Sequence, residues 1–301
     1  MDNKFKGFNK KFPLILVLLV ITLSLLSACD FLLDDLYIEG DQQEQLSVSG
    51  QDLIVHFIDV GQGDSILVQL PNQQNMLIDA GDNDKGQVVV DYIEKQGVSR
   101  IDYLIATHPH ADHIGGMDHV IDHFEIGDIY MPKVAHTTKT YMDLLEAIDR
   151  KNLKIRAAQA GMDITIDDVR ADILAPDSQL KSDNLNDYSI VIKLTYGQTV
   201  FLLQGDAERK TEEAILTSGI DVEADVIKLG HHGSTTSSTS NYIDAVDPDY
   251  AIVSAGEGNK YGHPHKEVVA LMKEKGIILY RTDRDGTIVA ISDGSQISFN
   301  K

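Results

Sequence analysis

One short peptide constrains the fold of this chain more than any other feature. Three histidines and an aspartate are packed directly behind the apolar run 101–106, which has the composition of a β-strand. Neutral imidazoles and carboxylates are ligands that divalent metals such as zinc and manganese prefer. His108 and His110, two residues apart, can point at one metal ion. Asp112 and His113 can turn toward a second, so the peptide predicts two neighbouring metal sites at a strand end.

Two later segments place further candidate ligands behind β-rich runs. Asp206 follows the apolar run 200–203, and its two carboxylate oxygens can bridge two metals; as an alternative, it caps the helix that comes next. His231 and His232 follow the run 225–229, and adjacent side chains on an extended chain point in opposite directions. One of these two histidines is therefore expected to bind metal. We favour His232, with His231 supporting a ligand or facing the substrate.

Two sets of β-rich runs alternate with helical patterns along residues 52–301. This order predicts an α/β fold in which two β-sheets pack face to face, with helices on both outer faces. The loops at the strand ends of both halves are expected to meet along one edge. The expected strands cover residues 53–58, 65–70, 75–79, 101–106, 129–132, 172–175, 190–196, 199–204, 225–229, 250–254, 277–281, 287–292 and 296–299. The expected helices cover residues 86–96, 116–124, 141–152, 207–217 and 266–275.

The motifs of this chain resemble those of a known family. The peptide His108–His113 has the H-x-H-x-D-H pattern of the metallo-β-lactamase superfamily. Residues 56–65, 228–234 and 261–265 are similar to motifs in the hydrolase domain of competence-protein (Rec2-type) DNA-uptake channels. The resemblance covers nearly all of the expected domain. It implies an αββα four-layer sandwich, a single domain of two similar halves, and two divalent metal ions, zinc or manganese, bridged by Asp206.

The chain departs from the wider superfamily in one respect. Many members bind the first metal with a third histidine, but no histidine lies between His136 and His231 here. This leaves the first metal open, which suits an anionic phosphodiester oxygen and argues against β-lactam hydrolysis of the usual kind. In the same region Asn186 and Ser189 are similar to the Asn-x-x-Ser of the competence-type subfamily. They are expected to hydrogen-bond a phosphate or a metal-bound water, or else to form a loop cap and a strand start.

Other candidates surround this set. Asp79 ends a strand and is expected to orient a ligand histidine through its second nitrogen. The resemblance places Asp64 facing the site, although turn formation alone explains its glycine neighbours. His263 is expected to act as a general acid or to contact phosphate, unless helix initiation by Pro264 explains the spacing. Asp112 is expected to serve in catalysis as well as in metal binding.

The net charge of −21 makes nucleic acid a difficult partner unless metals or local basic contacts overcome the field. Three lysines are candidates for such contacts, although solvated surface lysines are commoner: Lys133, Lys139 and Lys260. Four histidines have no evident partner in the sequence and are expected to be structural or surface residues: His56, His119, His123 and His136.

The N-terminus has the pattern of an export signal. A basic stretch precedes an uncharged apolar run over 14–26, and the Leu-Ser-Ala-Cys ending resembles a bacterial lipobox. We expect residues 1–28 to be a lipoprotein signal peptide, with a lipid on Cys29 and an acidic flexible tether over 29–51. An uncleaved anchor and plain secretion are the alternatives. Cleavage would remove four lysines and one aspartate, so the net charge would change from −21 to −24.

These features together predict a lipid-anchored, metal-dependent hydrolase on the outer face of the cell membrane. The favoured activity is that of a phosphodiesterase or nuclease of the competence-protein type, with DNA as the leading substrate. A phosphorylcholine-type esterase acting on surface polymers and a non-catalytic accessory protein of DNA uptake are the alternatives. The accessory role is less favoured, because a pure binder gains nothing from two metal sites. The sequence indicates no protein partner.

The lipid anchor is directly testable. Mass spectrometry of protein extracted from membranes should yield an N-terminal peptide that begins at a lipid-modified Cys29, because the lipobox places cleavage before that residue. The variant Cys29→Ser should lack that mass. Recovery of an unmodified peptide spanning residues 20–40 would contradict the lipoprotein prediction.

Overall fold

The computed structural model describes residues 51–301. The predicted signal peptide, Cys29, and all of the predicted tether except Gln51 lie outside the described residues. Within residues 51–301, no helix is both long enough and apolar enough to cross a bilayer.

The described residues form two β-sheets. In chain order the strands are β1 (Leu53–Phe57), β2 (Ile66–Gln69), β3 (Asn75–Ile78), β4 (Arg100–Ile105), β5 (Glu125–Pro132), β6 (Ile155–Ala158), β7 (Asp163–Ile166), β8 (Val169–Ala175), β9 (Val191–Tyr196), β10 (Thr199–Leu203), β11 (Val226–Lys228), β12 (Tyr250–Val253), β13 (Ile278–Arg281), β14 (Ile288–Ser292) and β15 (Ile297–Phe299). The first sheet has the order β15-β14-β1-β2-β3-β4-β5-β6. The second has the order β13-β12-β11-β10-β9-β8-β7.

Helices cover the outer face of each sheet. In chain order they are α1 (Gly86–Lys95), α2 (Ala111–Ile114), α3 (Met117–His123), α4 (Lys139–Arg150), α5 (Arg209–Ser218), α6 (Ser240–Val246), α7 (Lys266–Glu274) and α8 (Thr282–Asp285). One apolar cluster joins the facing sides of the sheets, and two others join each sheet to its helices. Along β10, Phe201 and Leu203 belong to the inner cluster while Leu202 belongs to an outer one, as strand alternation requires. The predicted αββα four-layer sandwich is confirmed.

Parallel strand pairs bring the motif loops to one edge. In the first sheet β3 and β4 run parallel, and Ile78 lies opposite Ile105 at their carboxyl ends. In the second sheet β10 and β11 run parallel, and Leu203 lies opposite Lys228. The loops that follow each pair therefore start side by side. They carry the predicted candidate ligands.

The two halves do not divide at a single point in the chain. Strands β14 and β15 come last in the sequence but belong to the first sheet, where Ser292 pairs with Leu53 of β1. The C-terminal strands thus complete the sheet that the N-terminal strands begin.

The sequence pattern missed two strands and three helices, of which α2 and α8 have only four residues each. Strands β6 and β7 lie at the edges of the two sheets, and three of the four residues of β6 are exposed. The exposed strand β6 lacks the apolar run that marks a central strand. Strand β7 has only four residues, although its Ile164 and Ile166 alternate and are buried in the inner cluster. Helix α6 begins in a Ser/Thr-rich segment that reads as a loop. Strand β5 also starts earlier than expected, at Glu125.

Candidate metal centre

Histidine and aspartate side chains from several strand ends meet at this edge. Two groups of potential ligand atoms each lie within 4.8 Å of one another. The first group holds His108, His110 and Asp206. The second group holds Asp64, His113, Asp206 and His232. Asp206 therefore belongs to both groups.

The first group is built on the loop after β4. Nε2 of His108 lies 2.9 Å from Nδ1 of His110 and 3.8 Å from Oδ2 of Asp206. The His108 side chain is buried, and Nδ1 at its rear lies 3.1 Å from the hydroxyl of Thr107. Burial and the neighbouring His113 hold the pKa of His108 well below its ordinary value. A neutral imidazole with a free lone pair on Nε2 suits metal binding.

The second group meets on the other oxygen of Asp206. Oδ1 of Asp206 lies 3.2 Å from Nε2 of His113 and 3.6 Å from Nε2 of His232. Oδ2 of Asp112 lies 3.3 Å from the same His232 nitrogen. Those two imidazole nitrogens and the Asp206 oxygen are buried, and none makes a well-formed hydrogen bond within residues 51–301. Converging buried atoms left without partners are costly. A metal ion would satisfy all of them, so the residues fit a divalent cation.

The electric field of the site has the sign that a cation requires. Although burial opposes a charge on His113, the carboxylates of Asp206 and Asp79 hold its pKa well above the ordinary value. Burial also opposes a charge on His232, but Asp206 and Asp112 raise its pKa to about 9. Protons and metal ions therefore compete for the same nitrogens, and metal binding at neutral pH would release protons.

Hydrogen bonds to Nδ1 orient the rings of His113 and His232, the two histidines of the second group. Asp79 accepts a bond of 2.7 Å from Nδ1 of His113 and is itself held by the backbone and hydroxyl of Thr107, at 2.8 and 2.6 Å. Nδ1 of His232 donates to the carbonyl of Ser254 at 3.0 Å. With Nδ1 engaged in this way, Nε2 of each ring points into the site.

A glycine turn brings the β1–β2 loop against the histidine loop. A Cβ atom on Gly63, whose φ is +135°, would lie 2.3 Å from the carbonyl oxygen of Asp112. The same carbonyl accepts a 3.1 Å hydrogen bond from the backbone of Asp64. Only glycine permits this approach.

Asp64 lies behind the histidines and pairs with a lysine that the sequence analysis did not assign to the site. Lys228 is fully buried, contacts Oδ2 of Asp64, and donates to the carbonyl of Gly205 at 3.1 Å. Oδ1 of Asp64 faces Nδ1 of His232, the rear nitrogen, at 3.4 Å. Lys228 therefore neutralises Asp64 and also braces the backbone next to Asp206. The sequence signal for this role was a lysine at the end of the otherwise apolar strand β11.

The expectation of an extended chain at His231 and His232 was wrong. Both residues adopt left-handed backbone conformations, with φ of 47° and 54°, inside the tight turn Gly230–Gly233. In this turn the two rings do not point in opposite directions: Nε2 of His231 lies 3.9 Å from Oδ2 of Asp206, and Nε2 of His232 lies 3.6 Å from Oδ1. His231 is about a quarter exposed, whereas His232 is buried. Each histidine thus faces a different oxygen of the same carboxylate.

Glu208 contacts His231 and hydrogen-bonds the side chains next to it. Its Oε1 lies 2.9 Å from Nδ1 of His231, and it accepts hydrogen bonds from Asn186 at 3.2 Å and from Thr236 at 2.9 Å. These contacts lower the pKa of Glu208 to about 2, against the opposing effect of burial. Asn186 is therefore held beside the site, with its Oδ1 buried and unpartnered among the described residues. Glu208 was not among the predicted site residues.

Ser189 does not face the place where a phosphate would bind. It is fully buried, and its hydroxyl accepts a 3.2 Å hydrogen bond from the backbone N–H of Asp206. The expected contact with a phosphate or metal-bound water is corrected to a supporting bond beneath Asp206. Ser189 lies two residues before β9, which agrees with the alternative interpretation that it leads into a strand.

His263 lies beside both histidines of the turn. Its ring centroid is 5.4 Å from that of His231 and 6.1 Å from that of His232. Burial and the positive charge of these neighbours lower the pKa of His263 to about 4. A ring that is neutral at pH 7 is a poor general acid, so the position favours contact with substrate over proton donation.

The remaining histidines lie outside the two groups. His56 is buried between Tyr92 and Gln69, at 2.9 and 3.0 Å, and burial lowers its pKa to about 4. His123 pairs with Glu94 on the surface at 2.8 Å. The ring of His136 lies 6.5 Å from that of His110, and His119 packs against Gly86.

This fold and site define the class of the protein. Residues 58–257 match the model of the metallo-β-lactamase superfamily, and the chain belongs to that superfamily. The site is that of a metal-dependent hydrolase family, with a His/Asp cluster suited to divalent metal.

Individual relatives indicate which members of the superfamily this chain is similar to. The chain is 31% identical over 251 residues to ComE operon protein 3 of Bacillus subtilis, a match covering 78% of this chain and 32% of that protein. It is 32% identical over 232 residues to competence protein ComA of Neisseria gonorrhoeae, covering 76% of this chain and 31% of that protein. The chain thus spans about a third of the length of these relatives. The predicted similarity to the competence-type hydrolase domain is confirmed.

Solved structures agree on the fold. A metal-dependent hydrolase of the β-lactamase superfamily, Tm1679, aligns with a TM-score of 0.53 at 12% identity, over 76% of this chain and 95% of that one. The metallo-β-lactamase fold protein YhfI from Bacillus subtilis aligns with a TM-score of 0.51 at 13% identity, over 80% of this chain and 100% of that one. At this identity the likeness concerns the fold alone.

The buried ion pair behind the site can be tested by unfolding experiments. Lys228→Met would leave the Asp64 carboxylate buried without its cation, and removing one partner of such a pair costs about 3–5 kcal/mol. Denaturant titration should show a loss of free energy of unfolding of that size. The double variant Lys228→Met/Asp64→Asn, which removes both charges, should recover most of it.

Lys139→Met is the matched control, because that lysine pairs with Asp143 on the surface and is 86% exposed. It should change stability little. A Lys228→Met protein as stable as the wild type would contradict the assignment of a buried ion pair.

Proposed function

We propose that the protein is a phosphodiesterase that uses two divalent metal ions, with nucleic acid as the leading substrate class. The observation that carries this proposal is the sharing of Asp206, whose Oδ2 faces one set of ligand atoms and whose Oδ1 faces the other. Ions held at these two places would act as Lewis acids that lower the pKa of a water nucleophile and neutralise charge on the phosphate oxygens.

The first ion would be held by His108, His110 and Asp206. These are the atoms that already converge within 4.8 Å. No histidine lies between His136 and His231 to add a further ligand. His231, whose Nε2 lies 3.9 Å from Oδ2 of Asp206, is assigned to the substrate, which would leave one position of the first ion open. An open position suits a phosphate oxygen.

The second ion would be held by Asp112, His113 and His232 together with Asp206. Asp64 also lies within reach of this group, but it faces the rear nitrogens of the two histidines, at 3.9 Å from Nδ1 of His113 and 3.4 Å from Nδ1 of His232. Asp112 instead faces Nε2 of His232 at 3.3 Å. We therefore assign Asp112 to the ion and Asp64 to the support of the rings.

His231, Asn186 and His263 are assigned to the substrate, beside the two places that would hold the ions. His110, Asp112 and His231 are only partly buried, so a substrate can reach them. Asn186 is held beside His231 by Glu208, which fixes its amide for hydrogen bonding. His263 would contact the bound group as a neutral ring.

The location follows from the N-terminal pattern rather than from the described residues. A lipid on Cys29 and the segment 29–51 would tether the domain to the outer face of the membrane. One of the relatives of this chain is named a competence protein, and this likeness is the reason for taking nucleic acid as the leading substrate class.

Metal analysis tests the shared carboxylate. The purified full-length protein, reconstituted with zinc or manganese, should carry close to two ions per chain. Asp206→Ala should lose more metal than His108→Ala, because it removes a ligand from both places. His123→Ala, which alters a surface histidine paired with Glu94, should keep the wild-type content. One ion or none in the reconstituted wild type would refute the binuclear assignment.

Hydrolysis assays test the reaction. Bis-p-nitrophenyl phosphate and labelled single-stranded and double-stranded DNA should be cleaved only with divalent metal, and Asp112→Ala should abolish cleavage. Added salt should lower DNA cleavage, because basic contacts must hold the strand against a net charge of −21.

Other outcomes would redirect the assignment. Activity on choline phosphate esters with none on DNA would favour an esterase acting on surface polymers. Turnover of lactones or β-lactams alone would overturn the phosphodiesterase proposal, and a fully metal-loaded protein inactive on every substrate would favour the accessory role.

A further inference from the structure

An exposed aromatic side chain lies close to the metal centre. Tyr261 is 53% exposed and is the one aromatic residue among the large exposed apolar side chains of residues 51–301. Its ring stacks on that of His263, with centroids 5.6 Å apart and planes 21° apart. His263 in turn lies 6.1 Å from the ring of His232. A row of three rings therefore leads from the second ligand group to solvent.

The backbone of Tyr261 is fixed in place. The side chain of Asn259 accepts hydrogen bonds from the backbone N–H groups of Tyr261 and His263, at 3.2 and 3.0 Å, and donates to the carbonyls of Gly256 and His263. The carbonyl of Tyr261 lies 3.3 Å from Nε2 of His265. An aromatic surface that is held before binding loses little conformational entropy when a planar group stacks on it.

The ammonium group of Lys260 lies over the ring of Tyr261. Nζ of Lys260 lies 5.0 Å from the centroid of Tyr261, and Lys260 makes no ion pair with a carboxylate in the part of the chain that the structure describes. A quaternary ammonium group such as choline binds to aromatic faces of this kind. Here it would have to displace or repel an ammonium group already present. An aromatic ring combined with an unpaired cation instead suits a planar base with its phosphate.

We propose that Tyr261 and Lys260 form a nucleobase-stacking platform for the nucleotide next to the phosphodiester at the metal centre. Tyr261 receives the base, and the ammonium group of Lys260 turns from the ring to the phosphate of the same strand. This inference rests on the proposed function and narrows its substrate class to nucleic acid with an accessible, unpaired base. A base inside a duplex has no free face to offer.

Binding and cleavage of two matched strands test the platform. One is a fluorescently labelled oligothymidylate, and the other is an abasic strand of equal length and charge. Binding to the full-length, metal-loaded protein is measured by fluorescence anisotropy, and cleavage is followed separately. Base stacking contributes about 1–3 kcal/mol, so Tyr261→Leu should weaken binding of the base-bearing strand by about 5- to 150-fold. It should leave the abasic strand unaffected.

Two further variants separate stacking from a structural role. Tyr261→Phe keeps the ring and should bind both strands as the wild type does. Lys260→Met should weaken both strands and reduce the salt dependence of binding by about one charge. Equal losses on both strands in Tyr261→Leu, or a Tyr261→Phe protein as weak as Tyr261→Leu, would overturn the platform.

The outcomes distinguish this proposal from the one on which it rests. Base-dependent binding without cleavage would refute the phosphodiesterase and leave the platform standing. Cleavage of both strands with no preference for bases in the wild type would support the phosphodiesterase and overturn the platform. Tyr261-dependent displacement of the strand by phosphocholine would also overturn it, because the ring would then serve the ammonium group.

Discussion

The carboxylate of Asp206 is the group on which the rest of the site depends. It is buried at the end of β10, and each of its oxygens faces a different set of histidines. Its backbone N–H is held by Ser189, and the preceding carbonyl of Gly205 is held by Lys228. A buried carboxylate is costly unless cations or hydrogen-bond donors surround it. The loops of both sheets converge on this one group, so the geometry of the site depends on how the two sheets pack against each other.

Negative charge is concentrated at the site and is compensated unevenly. Asp64 has its own cation in Lys228, and Asp79 is held by His113 and Thr107. Asp112 and Asp206 face imidazoles, and the raised pKa values of His113 and His232 show that positive charge is favoured on these two, whereas burial lowers the pKa of His108. The overall charge of −21 repels an anionic polymer as well. Recognition of such a substrate would therefore depend on short-range contacts, such as those proposed above for Lys260 and Tyr261.

The sequence predicted the layers and the main ligand groups because both follow from local patterns. Alternating apolar residues mark the central strands, and the cluster at 108–113 stands directly behind one of them. The pattern could not predict the edge strand β6, which is mostly exposed, and it missed the four-residue edge strand β7 although Ile164 and Ile166 are buried there. It also failed where long-range contacts decide the outcome. The pairing of Lys228 with Asp64 joins residues 164 positions apart. The left-handed turn at His231 is held by a hydrogen bond from its N–H to the carbonyl of Gly205, and Ser189 is buried by the loop that carries Asp206.

The return of β14 to the first sheet has a consequence for how the molecule folds. Strand β1 pairs with β14 on one side and with β2 on the other, and β1 leads directly into the loop that carries Asp64. Strands β1 and β14 are more than 200 residues apart in the chain, and such distant contacts slow folding because closing the intervening loop costs entropy first. During synthesis β1 cannot pair on that side until β14 has been made. A chain cut before β14 would leave that edge of β1, and the loop with Asp64 that follows β1, without this support.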